Sequence, residues 1–334
     1  MPILPEARGP LSEALLAALR RPTHGLALSA PQSADPFADE DLQLSLYLCY
    51  ELHYRGLDGV DERWEWEASL LGLRAELEEQ FERALTEAVP SPLQCPHPTE
   101  SDLALRAIAA ADDGPSLSLH LAREGTHEQL LEFLVHRSAY QLKEADPHSW
   151  ALPRLTGAPK AAMVEIQADE YGAGRADRIH SEMYARSLEA VGLSPEYGAY
   201  LDHIPGSTLA TVNLISMFGL HRRLRGALVG HLALFEMSSA IPSRRYGDAL
   251  RRLGWAPAAE FFDEHVEADA VHENIAAVDL AGGLMRQEPA LGPDVMFGAE
   301  ALAELDRRSA RQVLGCWSAG ETSLRKPLRQ PAPA

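Results

Sequence analysis

From about residue 43 to about residue 320 the chain places apolar side chains at helical spacing, and almost nowhere at the strict alternation of a half-buried strand. LSLYLCYELHY (44–54), RWEWEASLLGLRAELEEQFERALTEAV (63–89) and HEQLLEFLVHRSAYQLKEA (127–145) follow this rule with few β-branched runs. Prolines and glycines punctuate the pattern, because proline ends helices and glycine closes them. A Pro-bearing connection is expected over 91–102, and PHSWALPRLTG interrupts the helix before 158. Helices are then predicted over 158–174, 175–192, 207–240 and from 256 onward, with PSRRYGDALRRLG as a separate piece and a last helix over 297–320. These segments predict an all-α bundle of long helices.

Composition narrows the function. A formal net charge of -19 leaves no basic face to neutralise phosphates, so nucleic-acid binding is not expected. The first residues have no basic start followed by an apolar run, and no apolar stretch reaches the roughly 20 residues of a membrane span. Cys49, Cys95 and Cys316 are widely spaced and form no disulfide framework, which suits a reducing cytoplasm. Residues 1–42, rich in Pro, Ala and acids, read as a mobile N-terminal arm with one short helix near 11–21. Residues 43–124 read as accessory helices packed on a core formed by 125–322, and 323–334 as a loose tail.

The stretch EHVEADAVHE (264–273) carries the chemistry. On a helix His265, Asp269 and His272 fall within about 60° of one another, on the face of Phe261 and Ile275. A lone histidine on an apolar face is usually a core residue satisfied by one hydrogen bond. Two histidines and an aspartate together need several partners in one buried place, and a metal ion satisfies them at once. Such ligands suit iron, manganese or zinc more than calcium or magnesium. Other helices should then contribute acids and a further histidine. The candidates are Glu144, then Glu165, Asp169 and Glu170, then Asp177 and His180. Glu165 and Glu170 lie about 140° apart on one helix, so only one of them can face a shared site.

With these residues the chain resembles the haem-oxygenase-like diiron oxidases and oxygenases, a group of iron-containing redox enzymes. The motif His-x3-Asp-x2-His is present as His265, Asp269 and His272. Glu144, Glu170 and His180 repeat the family's order of its other ligands, including the ten-residue step from Glu170 to His180. YQLKEADPHSW and EIQADEYGAGRADRIHSEMY are similar to the bacterial branch, and the likeness covers roughly residues 125–320. It implies a haem-oxygenase-like helical bundle with extra N-terminal helices. It also implies metal ligands Glu144, Glu170, His180, His265, Asp269 and His272. His148 competes with His180 as the first histidine, and Glu165 and Asp169 compete with Glu170. Glu236 is either an outer partner of a ligand histidine or a buried acid, and Asp177 forms an Asp-x-x-His pair with His180.

The implied cofactors are two iron ions, with O2 as co-substrate and an external reductant. The implied activity is oxidation of a small metabolite, an amine or an amino-acid-like or fatty-acid-like molecule. A homodimer and an electron-donor protein are partners this reading allows. Two rivals stand beside it: a non-catalytic helical binding protein on the same scaffold, and a ferritin-like metal-handling protein. Asn213, Phe218 and Met237 are candidate pocket residues.

Overall fold

The computed structural model describes residues 1–89, 95–111 and 114–328, without the side chains of residues 269 and 270. Among the described residues there is no strand. The N-terminal helices are α1 (Pro10–Leu19), α2 (Glu40–Glu51), α3 (Ala68–Ala88), α4 (Ser101–Ala110) and α5 (Leu117–Arg123). Then follow α6 (His127–Gln141), the short α7 (Asp146–Ser149), α8 (Gly157–Glu170), α9 (His180–Ala190) and α10 (Gly206–Leu220). The chain closes with α11 (Arg225–Arg252), α12 (Glu260–Asn274), α13 (Gly282–Gln287) and α14 (Gly292–Ser318). No helix among the described residues is long and apolar enough to cross a membrane.

Local chemistry explains the helix starts. The Asp39 side chain accepts from the backbone of Asp41 and Leu42, and Glu67 accepts from Leu70. Thr126 and Gln129 form a reciprocal capping box at α6. Two sequence expectations for helix extent change. The stretch 207–240 divides into α10 and α11 around His221–Leu224, and α11 runs on through Pro242 to Arg252. An internal proline costs about 3 kcal/mol; packing of α11 against α12 and α14 outweighs it here.

The contact between α11 and α14 is close enough to involve backbone. A Cβ on Gly230 would stand 1.7 Å from the Val295 carbonyl oxygen, and one on Gly298 would stand 1.9 Å from that of Ala227. Glycine at both positions lets the two helices cross nearly in backbone contact, and this fixes where α11 presents its inner face. One apolar core joins α1, α2 and α3 to α6, α10, α11 and α14. A second cluster joins Phe133 and Leu134 of α6, Tyr184 of α9, and Phe261 and Phe262 of α12.

Neither chain end is loose where the structure describes it. Leu11, Leu15, Leu16 and Leu19 are buried, and the Arg8 guanidinium pairs with Glu40 at 2.7 Å. The arm expected to be mobile carries an apolar stripe that α2 covers, and its polar composition concealed it. At the other end Ser323 donates to Glu132 through its backbone and its hydroxyl, and Leu324 is buried. Residues 329–334 of the expected tail lie outside the described residues.

His136 ties α6 to both regions. Its ring nitrogens meet Thr208 Oγ1 at 2.7 Å and Ser323 Oγ at 2.9 Å. Burial pushes its pKa down to about 4, against a smaller opposing pull from Glu132. The unfolded chain therefore binds a proton here that the folded chain refuses. His136 contributes stability that is complete above about pH 6.5 and is lost as pH falls toward about 4. Denaturant unfolding across that range should show a falling midpoint in the wild type and a weaker fall in His136→Gln.

Candidate metal centre

The site lies where α6, α8, α9, α11 and α12 meet, and it begins with a break in a helix. α6 was expected to reach residue 145, but it stops at Gln141 and the chain turns through Ala145, a non-glycine residue at φ 73°. A residue held there costs energy that its surroundings must supply. The Gln167 amide does so, donating to the Ala145 carbonyl and to Ser149 Oγ, both at 2.8 Å. The turn sends two neighbouring charged side chains opposite ways. Lys143 points to the N-terminal helices, 3.3 Å from Glu51 and over the ring of Tyr54. Glu144 points inward and is 4% exposed.

Glu170 is the last residue of α8 and His180 the first of α9. The loop between them folds tightly at Gly172, at φ 70°, where a Cβ would stand 2.7 Å from the Arg178 carbonyl carbon. This returns the chain so that His180 Nδ1 lies 2.8 Å from Glu170 Oε2, off the axis of a hydrogen bond. From α12, His265 Nε2 lies 3.5 Å from Glu144 Oε1. Two turns further on, His272 Nδ1 lies 3.3 Å from Glu236 Oε2 of α11 and 3.9 Å from Glu170 Oε1.

These atoms form two groups able to hold a metal ion. Glu144, Glu170, His180 and His265 offer atoms all within 4.8 Å of one another, and so do Glu170, Glu236 and His272. Every member is buried and Glu170 belongs to both. The far ring nitrogens are spoken for. His265 Nδ1 lies 2.8 Å from the Phe261 carbonyl, and His272 Nε2 lies 3.1 Å from Asp169 Oδ2. Such outer contacts fix which nitrogen faces a metal.

The electrostatics describe a site short of positive charge. Burial alone would push the Glu170 carboxyl up, but His180, His265 and His272 outweigh it and hold it well below the usual range. Burial and the nearby Glu170 push Glu236 up despite His272. Burial pulls His272 down, but Glu236 and Asp169 outweigh it and raise it to about 9. Within the two groups, four buried atoms have no hydrogen-bond partner among the described residues: Glu144 Oε2, Glu170 Oε2, His180 Nδ1 and His272 Nδ1. Orphaned polar atoms are costly, and these four converge on the two groups. A cation between them satisfies all four, so the residues present fit iron ligation by imidazole and carboxylate.

The remaining sequence candidates are placed as follows. Glu165 is on the exposed side of α8, away from the site. Asp169, also exposed, supports His272 from outside. Asp177 is exposed and pairs with Arg175, because the turn before α9 points it outward. His148 lies in the site wall but in neither group of candidate ligands. The Asp269 side chain lies outside the described residues. Asn213 is spent on Gln43 and Phe218 packs near Phe297, so neither lines the cavity.

The cavity between the groups has a volume of about 10 Å³, and its wall includes Tyr140, His148, Gln167, Leu232 and Phe235. Tyr140, Gln167 and His231, the last bonded to His148, were not singled out from sequence. Only the position of Tyr140, one helical turn before Glu144, signalled a shared face.

The profile of the family described as iron-containing redox enzyme matches residues 131–307. The chain belongs to this family. The match contains all six buried members of the two groups, from Glu144 to His272. As a family member it has an all-α, haem-oxygenase-like fold. It is also similar to the nitrosourea synthase of Streptomyces achromogenes subsp. streptozoticus, with 28% identity over 170 residues. That alignment covers 50% of this chain and 36% of the synthase, so the chain spans about a third of its relative's length. The family and its buried His/Glu groups fit an iron-containing oxidoreductase.

Proposed function

We propose that this protein is an O2-dependent non-haem diiron oxidase or oxygenase of a small metabolite, with an amine nitrogen as the favoured point of attack. The observation that carries this reading is the sharing of Glu170 by two buried ligand groups. One carboxylate between two sites suits a pair of ions better than a single one. Glu144, Glu170, His180 and His265 would hold the first ion, and Glu170, Glu236 and His272 the second. The family resemblance adds Asp269 as a further ligand. The relative's name, nitrosourea synthase, supports chemistry at nitrogen.

Two ferrous ions supply the electrons and the open positions that dioxygen reduction needs. The rest falls to the chain. Phe261 and Asp169 orient His265 and His272 from outside. Leu232 and Phe235 keep the cavity wall apolar and limit water. At about 10 Å³ the cavity has room for about one water molecule, so a metabolite enters only as the wall moves. A surface cleft of about 310 Å³, lined by Asp169, Arg175, Arg178, His180 and Glu264, gives an approach from the side of His180.

Anaerobic loading with ferrous iron, followed by metal analysis and exposure to O2, tests the reading. About two irons per chain and an absorbance change with O2 are expected. No iron uptake would favour the non-catalytic binding protein. Iron oxidation without turnover of any amine would favour the metal-handling protein.

A further inference from the structure

The cavity wall contains one polar device that ligation leaves unused. His148 of α7 and His231 of α11 are each 1% exposed, and His148 Nε2 lies 3.1 Å from His231 Nδ1. Phe235 stacks near His231, and Tyr140 meets His148 edge-on. His148 lines the same cavity as Glu144, Glu170, Glu236 and His265, while neither ring belongs to a ligand group.

We propose that His148, backed by His231, is the proton donor of the cavity. This rests on the reading of an O2-reducing site. Reduction of dioxygen takes up protons with its electrons, as in 2 Fe2+ + O2 + 2 H+ → 2 Fe3+ + H2O2. Those protons must enter a buried space, and the wall has few sources for them. Gln167 does not exchange protons and its amide holds the 145–149 turn. Burial and three carboxylates, Glu144, Glu170 and Glu236, keep the Tyr140 phenol protonated far above neutrality. The ligand histidines and carboxylates are committed to the metal ions. His148 remains.

The pair works without carrying a net charge. With Nε2 of His148 engaged by His231, Nδ1 is the nitrogen left to give its proton to the cavity. His148 Nε2 then takes the proton of His231 Nδ1, and His231 Nε2 accepts a replacement from water that enters as the wall moves. Both rings end neutral, with their tautomers exchanged, so each pass of the pair delivers one of the two protons and water resets the tautomers before the next. Burial favours neutral rings: it pushes His148 down to about 4, and it holds His231 well below the usual imidazole range. The ionisable groups facing the pair are Tyr140, Glu144, Glu170, Glu236 and His265.

Two near-isosteric variants separate proton transfer from packing. In His148→Gln the amide replaces Nε2, and in His231→Asn it replaces Nδ1. Each retains the hydrogen bond but cannot relay. Ferrous-loaded protein is mixed with O2, and iron oxidation is followed by absorbance in H2O and D2O. Both variants should bind as much iron as the wild type and oxidise it ~100-fold more slowly, the lower range for a general acid. The wild type should slow at least about twofold in D2O, as expected when proton transfer limits the rate. Wild-type oxidation rates in either variant, loss of iron binding by either, or no D2O effect in the wild type would each overturn the proposal. Normal iron uptake and oxidation by the wild type would leave the diiron reading standing in all three cases.

Discussion

Glu170→Ala should deplete both metal sites at once. Glu170 is the residue common to the two buried groups, so its loss removes a ligand from each. Outer partners of metal ligands typically cost 10–100-fold in affinity when removed, and a shared inner carboxylate should cost more than about 100-fold. Iron per chain should fall from about two to well below about one. His272→Ala touches one group and should leave about one iron bound, at the group formed by Glu144, Glu170, His180 and His265. Metal analysis of the variants, loaded anaerobically and checked for helix content by circular dichroism, makes the comparison. Two irons retained by Glu170→Ala would refute the shared-ligand reading.

Gly230→Val should be the most damaging substitution outside the site. Even the first carbon of the new side chain would stand 1.7 Å from the Val295 carbonyl oxygen, and the obstacle is backbone. α11 and α14 must then separate or shift. Overpacking of this kind costs about 3 kcal/mol or more. Because α11 also carries His231 and Glu236, a shift should weaken iron binding as well. Gly72 is the control. It lies in α3 with open space around it, and alanine there should stabilise by about 0.5–1 kcal/mol through helix propensity. Chemical denaturation of the two variants checks both signs. A Gly230→Val protein as stable as the wild type would mean that the two helices do not cross as closely as described.

Much of the candidate site could be read from residues alone. The helical face shared by His265 and His272 follows from their spacing, and both side chains are buried beside carboxylates. The ten-residue step from Glu170 to His180 follows from a helix end, a glycine turn and a helix start, all encoded locally. The sequence was silent on the inner side of α8. Glu165, Asp169 and Glu170 are all acids on one short helix with little amphipathic contrast, so periodicity could not choose among them. It also read residues 1–42 as a mobile arm: Leu11, Leu15, Leu16 and Leu19 have helical spacing, but their covering by α2 is a contact between separate segments that spacing does not reveal.

The sequence by itself determined the all-α class, the approximate helix segments, and the order of acids and histidines along the chain. These depend on interactions within a few residues, such as capping, helical period and proline breaks. Only the tertiary structure decided that Glu170 turns inward while Asp169 supports His272 from outside, that Glu236 meets His272, and that His148 meets His231. Those pairings join residues far apart in the chain. They depend on how α8, α11 and α12 rotate against one another, and close crossings such as that at Gly230 set those rotations.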